Sequence, residues 1–406
     1  MSMTGGVMLS GAIQSILVTI ICVGGSFSHA ANCDSTSKGF IPLTELTGTY
    51  KGQPGGLYPG GINQPPIWHH NNGISLAQSF VPLNTSGLPD TVNGSWVLLS
   101  VGMSNTTQEF SRFVLDMQGD TTRHPQLRIV DGAQGGQTAA KIVYDTAAFW
   151  TVINNRLTTQ GLSSKQVRAV WLKEANAGPT NPFPGHAISL RDNLRDVVRL
   201  LKVKYPNILQ VFVSSRIYAG YASTTLNPEP FSYEAGFSYR WLIESQLTGN
   251  DSLNYLSDSG AVKAPWLAWG PYLWADGVIP RQIDGLTWLC SDLVSDGTHP
   301  SDSGRVKVAS MLEEFFKTSP YTGAWFLKDF ITPCCLAATG NVDCDLGDVA
   351  DISDLTALID NLFISLSPLC CPNEANTDGT GAVDISDLTA LIDHLFISLA
   401  STTDCP

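Results

Sequence analysis

The residues Asp296-Gly297-Thr298-His299-Pro300 set a carboxylate and an imidazole three positions apart on one tight turn. Gly297 permits a sharp bend and Pro300 fixes its own φ, so the two side chains can project to one side, where the acid orients and charge-balances the ring. A hydrolytic triad needs that pair and a nucleophile. Beyond the turn, Val306, Ala309, Met311, Leu312, Phe315 and Phe316 keep helical apolar spacing, and Ser301 and Ser303 stand where they can cap that helix. The competing reading is a solvated loop in which Asp296 caps and His299 is idle.

A nucleophile must be brought to this turn by other elements. From Ser95 onward, short apolar runs alternate with amphipathic stretches, the pattern of an α/β domain with a parallel sheet and crossover helices. Strands are predicted at 96–101, 127–130, 167–172, 208–213 and 266–269, and helices at 138–154, 189–204, 233–247 and 303–317. Functional groups in such sheets collect at the carboxyl ends of strands. There the first strand runs into Gly102-Met103-Ser104-Asn105, a small hydroxyl beside a glycine. The second runs into Asp131-Gly132-Ala133-Gln134-Gly135-Gly136-Gln137-Thr138, whose backbone N–H groups could face a forming oxyanion. The third runs into Lys173-Glu174-Ala175-Asn176-Ala177, where Asn176 offers a neutral amide donor. Singly, each also reads as a cap or a turn.

Taken in order, Ser, Gly, Asn and then Asp-x-x-His at strand ends resemble the SGNH hydrolases, also called GDSL-type esterases, over residues 96 to 317. The resemblance implies a three-layer α/β/α, flavodoxin-like parallel sheet. It makes Ser104 the nucleophile, His299 the base and Asp296 the orienting acid, with Ser104, Gly136 and Asn176 as oxyanion donors. Gly136 is preferred to Gly135 because Gly136-Gln137-Thr138 aligns with the family's Gly-Asp-Thr turn. The implied activity is hydrolysis of an acyl ester without a catalytic cofactor. Met103 and Ala177 stand where the family usually has Asp, and these departures motivate the alternative of a catalytically silent binding or scaffold protein. An α/β-hydrolase would show Gly-x-Ser-x-Gly, which is missing from the sequence.

The tail contains a repeat. Residues 351–360, Asp-Ile-Ser-Asp-Leu-Thr-Ala-Leu-Ile-Asp, recur at 384–393. Before the second copy, Asn376, Asp378, Thr380, Asp384 and Asp387 place oxygen donors at positions 1, 3, 5, 9 and 12 of a loop with Gly381 at position 6, the donor set a calcium ion asks for. The first copy offers Asp343, Asp345, Asp351 and Asp354, but has Gly347 at position 5 and Asp348 at position 6, so a weaker site is expected. Leu355, Leu358, Ile359, Leu362, Phe363 and their equivalents Leu388, Leu391, Ile392, Leu395, Phe396 predict an amphipathic helix after each loop. Two such EF-hand-like units ending in Asp resemble a type I dockerin. This implies structural calcium and a cohesin-like partner met by Ile352-Ser353 and Ile385-Ser386. Because dockerins commonly accompany polysaccharide-acting enzymes, the resemblance also points to an acetyl or other acyl ester on a carbohydrate.

Composition sets the outer limits. The chain has 406 residues, and twelve acidic residues without a Lys or Arg lie after residue 330, so nearly all of the formal charge of −13 is in the tail. No basic run would follow a phosphate backbone, which argues against nucleic acid. Residues 1–30 read as a secretory leader, with an apolar run from Ile16 to Val23 too short to span a bilayer and a small-residue end at Ser28-His29-Ala30. Eight cysteines remain after it, an even number suited to disulfides outside the cell, mostly bracing the tail. The expected organisation is a leader (1–30), a hydrolase-like domain (32–330) with a loop-rich wrap at 32–92, a linker (331–340) and the calcium repeats (341–406). His69 and His70 are expected at the surface and His186 outside the site. Tyr218, Tyr221, Trp266, Trp269, Tyr272 and Trp274 are either sugar-stacking rings or core.

Overall fold

The computed structural model describes residues 1–2, 30–330, 335, 338–344 and 349–405, so the expected leader and Asp345 lie outside the described residues. Five strands make the central sheet: β1 (Trp96–Gly102), β2 (Leu127–Asp131), β3 (Val167–Lys173), β4 (Gln210–Val213) and β5 (Trp266–Trp269). Every residue of β1 and β3 is buried, as expected of inner strands covered on both faces. The order is β2-β1-β3-β4-β5 and all four pairings are parallel. The chain steps outward from β1 to β2 and then crosses back to β3, so a crevice opens at the carboxyl ends of β1 and β3.

The helices that position the site are α1 (Ile67–Gln78), α2 (Ser104–Met117), α3 (Ala148–Thr159), α4 (Gly185–Lys204), α5 (Phe231–Leu247) and α6 (Asp302–Thr318). Phe113 of α2 meets Phe316 of α6 with ring centroids 5.6 Å apart, while α4 packs on α5. The helix predicted at 138–154 is two pieces. A turn at Ala139–Ile142 is docked on the end of β3, and the Trp150 indole N–H takes the carbonyl oxygens of Ile142 and Tyr144, at 3.1 and 3.2 Å. Ser301 and Ser303 do not cap α6: both hydroxyls donate to Ser291 O.

The stretch 32–92 packs on the sheet domain, with Leu43, Leu46, Leu57 and Tyr58 joining its core, and it contains α1, which does not follow from its weak periodicity. Gly73 lets α1 sit directly on the sheet edge, since a Cβ there would lie 2.3 Å from the Trp266 ring. His69 is fully buried rather than exposed, and its Nε2 donates to Leu267 O at 2.8 Å. A disulfide joins Cys33 to Cys290 and pins the start of the wrap.

The tail has its own small core of Val342, Leu358, Ala375 and Leu391, separate from the main cluster. Helices α7 (Ile352–Ile359) and α8 (Ile385–Ile392) each continue into a wider i→i+5 turn, and disulfides Cys335–Cys405 and Cys344–Cys370 brace them. Those wider turns break the expected apolar face: Phe363 and Phe396 point to solvent.

Candidate active site

The first residue of α2 is Ser104, and Met103 takes the N-cap position, so the Ser104 hydroxyl is not used as a cap. Gly102 makes this tight exit from β1 feasible, because a Cβ there would sit 2.3 Å from Lys173 O. Ser104 Oγ lies 2.8 Å from His299 Nε2, and His299 Nδ1 lies 2.6 Å from Asp296 Oδ2. A carboxylate only accepts, so Nδ1 carries the proton and Nε2 is the acceptor facing Ser104. The other oxygen of Asp296 takes the backbone N–H of Thr298 (2.8 Å) and of His299 (3.0 Å). Burial pushes the Asp296 carboxyl up, but these bonds and the neighbouring imidazole outweigh it and hold it below the usual carboxylate range.

Gly297 fixes the turn. Its φ is +62°, and a Cβ would lie 2.0 Å from Tyr221 O. The buried Asn105 amide then donates to Thr298 O at 2.9 Å, tying the serine block to the histidine turn. These contacts convert an Asp-x-x-His pair and a distant serine into one hydrogen-bonded chain.

The glycine turn after β2 is clamped by Arg156, whose Nη1 donates to Asp131 O (2.7 Å) and Ala133 O (2.9 Å). Gly136 adopts a φ of +73°, and Lys141 Nζ takes its carbonyl at 2.8 Å. At the end of β3, Asn176 Oδ1 accepts from Ala140 N (3.2 Å) and Asn193 Nδ2 (3.1 Å). With its oxygen held, the amide nitrogen is left as a donor without a protein acceptor among the described residues. Asn193, on α4, gave no signal in the sequence, because a helix-borne orienting amide has no motif.

Ser104, Gly136, Asn176 and His299 line one cavity of about 620 Å³, together with Arg216 and Asn227 among others. Asp296 stands behind His299. The structure therefore brings all five residues of the predicted site together; Gly136 lines the cavity, while a Cβ on the adjacent Gly135 would lie 3.9 Å from Ser104 Cβ. His186 does not line this cavity but lines a neighbouring one that shares Asn176 and Asn227; it is buried on α4 with Nε2 2.6 Å from Glu234, which also accepts from Lys51 Nζ at 2.8 Å. Tyr218, Tyr221, Trp266, Trp269, Tyr272 and Trp274 are all buried and serve as core rather than as a sugar platform.

In the tail, the two loops use the same internal bonds. Asp354 accepts from Asp343 N (3.0 Å) and Asp351 N (2.7 Å), and Asp387 accepts from Asp378 N (3.2 Å) and Asp384 N (2.8 Å). Both position-12 carboxylates are buried, and in the second loop Asn376 Oδ1 is buried without a hydrogen-bond partner. Thr380 is drawn in by its N–H and hydroxyl, which donate to Asp378 Oδ1 at 2.8 and 3.0 Å.

No family model matches the chain, and neither does any curated protein. Among solved structures it is similar to a candidate acylhydrolase from Bacteroides fragilis at 12% identity and a TM-score of 0.34, covering 64% of this chain and 100% of that one. A family 3 carbohydrate esterase from Talaromyces cellulolyticus gives 12% identity and a TM-score of 0.30, covering 53% and 94%. The periplasmic domain of a lipopolysaccharide acetyltransferase from Salmonella ser. Paratyphi A gives 11% and 0.30, covering 62% and 97%. The chemistry of the site is derived from its own side chains.

Proposed function

We propose that the domain at 32–330 is a serine esterase of SGNH type that hydrolyses an acyl ester, most simply an acetyl group, on a carbohydrate. One observation carries this reading: an unbroken Ser104–His299–Asp296 hydrogen-bonded chain that opens on a cavity also lined by Asn176 and Gly136. In the reaction His299 Nε2 takes the Ser104 proton as Oγ attacks the ester carbonyl. The oxyanion is met by the N–H groups of Ser104 and Gly136 and by Asn176 Nδ2. Asp296 stabilises the imidazolium, which then protonates the leaving alcohol. Water attacks the acyl-serine by the reverse sequence: His299 takes its proton and returns one to Ser104 as the carboxylic acid leaves. Positions 103 and 177, where the SGNH pattern carries Asp, contribute side chains to neither the proton relay nor the oxyanion donors.

The tail is proposed as a dockerin-like calcium module on a secreted protein. Asn376, Asp378, Thr380, Asp384 and Asp387 fit a calcium ion, because the hard-oxygen donors come with an orphaned buried oxygen on Asn376. Asp343, Asp351 and Asp354, with Asp345, form the counterpart. Calcium there supplies structural cohesion to the loops, and a cohesin-like protein is the proposed partner. The carbohydrate substrate rests on the resemblance of the tail, an association by family and not a property of the cavity.

The test is turnover of p-nitrophenyl acetate by the full chain before and after a serine-directed phosphonate. Hydrolysis abolished by a single label on Ser104 is expected. Absence of turnover together with absence of labelling would leave a silent binding protein as the reading.

A further inference from the structure

Arg216 follows β4 by three residues, so the strand delivers it to the same carboxyl edge as Ser104 and Asn176, and it lines the same cavity. The residue is 2% exposed. None of its N–H groups finds an acceptor among the described residues, and Nε and Nη2 are buried without one. Glu109, Glu174 and Glu229 lie around it but accept no hydrogen bond from it, and Glu109 Oε1 and Glu174 Oε1 are themselves buried without a hydrogen-bond partner among the described residues. Glu109 forms a buried ion pair with Lys173. Glu229 accepts from Trp274 Nε1, Tyr233 N and Ala219 N at 2.8, 2.9 and 3.1 Å. Glu174 accepts from Ala175 N at 3.2 Å, and burial holds its carboxyl far above the usual range, toward the neutral acid. Lys173 pairs with Glu109, which leaves the guanidinium in the wall with neighbouring acids but no direct ion pair among the described residues. Burial pushes its pKa down, yet a guanidinium does not give up its proton in a protein.

A buried cation with unpaired donors is costly to keep. Its place in the wall of a reaction cavity gives that cost a use, because an entering anion can accept from a guanidinium whose donors the protein leaves unused. The remainder of the domain does not oppose such a ligand, since residues 1–330 hold nearly equal numbers of acidic and basic side chains. We infer that Arg216 is a specificity-determining residue that selects ester substrates carrying a carboxylate on the acyl or the alcohol side of the scissile bond. This rests on the esterase reading above.

Two matched pairs test it on the full chain. On the alcohol side, an O-acetylated methyl galacturonoside is compared with its uncharged methyl ester. On the acyl side, mono-p-nitrophenyl adipate is compared with p-nitrophenyl hexanoate. The acidic member of one pair should have a kcat/KM at least about tenfold above its neutral partner, and the pair that shows it identifies the side. In Arg216→Met that ratio should collapse toward one, with Arg216→Lys between, because a charge-assisted bond to a carboxylate is worth about tenfold or more. Ratios near one in the wild type, or a ratio unchanged in Arg216→Met, would overturn the inference and assign Arg216 to internal charge balance. Binding is read apart from turnover, and with wild-type protein in case the Met variant misfolds. Free galacturonate or adipate, unlike galactose or hexanol, should raise the Tm, and Arg216→Lys should reduce that shift. Hydrolysis of neither pair, with the carboxylate Tm shift intact, would count against the esterase reading and leave the anion site standing; loss of the shift as well would remove both.

Discussion

The α/β unit and the repeated tail build their sites on opposite scales. In the first, Ser104 and His299 are 195 residues apart in the chain and meet only because β1 and the last loop end at one sheet edge. In the second, the donors of each loop lie within twelve consecutive residues, and the bonds that shape the loop span at most 11. The first region can hold a buried Lys173–Glu109 ion pair beside its cavity because a large apolar core surrounds it. Among its described residues the second has a core cluster of only four buried apolar side chains, and it carries nearly all the net negative charge, so disulfides brace it and a cation would relieve the repulsion between its acids. A long-range site thus depends on a rigid scaffold, whereas a local site can be written in a short motif and stabilised by its ligand.

The sharpest way to separate the regions is Ser104→Ala, which should cut kcat by about 10⁴ to 10⁶ and leave any calcium response of the tail unchanged, as a triad acts as a unit. Retained turnover, or a phosphonate mapped by mass spectrometry to another serine, would end the assignment. Asn176→Ala should fold normally and lose about 10² to 10³ in kcat, the usual effect of one oxyanion donor. Wild-type turnover in that variant would return Asn176 to the role of a turn residue.

Acid should attack the α/β unit by a route the tail lacks. Burial, only partly opposed by the bond to Leu267 O, holds the His69 imidazole down at about 4. The folded value is below the unfolded value of about 6.5, so the unfolded chain binds the proton more readily. Stability should therefore fall as pH drops from about 6.5 to about 4, by up to about 3 kcal/mol, and His69→Gln should flatten that slope in denaturant titrations. An unchanged slope would mean that other groups set it.

The smallest expected effect belongs to the tail. At a hundredfold excess over its Kd, calcium should stabilise it by about 2.7 kcal/mol relative to EGTA, seen as a separate shift in the calorimetric trace of the full chain. Asp378→Ala should remove more of that shift than Asp343→Ala. Equal losses would contradict the ranking of the loops, and no shift with calcium would contradict the metal.

Strand periodicity made the sheet legible almost to the residue, because strands buried on both faces are bounded apolar runs, and β1, β3 and β5 are such runs. The wrap was harder. Its helix α1 has no apolar stripe to reveal it: it docks through Gly73 and a polar histidine, a fit that exists only once Trp266 and Leu267 are in place. Aromatic residues after β4 and β5 left core and ligand contact open, and burial decided for core. Asn193 is placed by neighbours from other elements, so it carries no local signature.

By itself the sequence determined what depends on near neighbours: the Asp296-x-x-His299 pair, the glycine turn at 135–136, the bounded strands and the duplicated loops, all of them set by backbone sterics, side-chain period and spacing. Tertiary structure alone decided that Ser104 faces His299 Nε2, that the Asn176 amide oxygen is held by Ala140 and Asn193, and that Arg216 is left without a hydrogen-bond acceptor among the described residues. Those outcomes depend on which strand ends share an edge and on which polar groups remain unsatisfied after the core has closed, and no local stretch of chain encodes either.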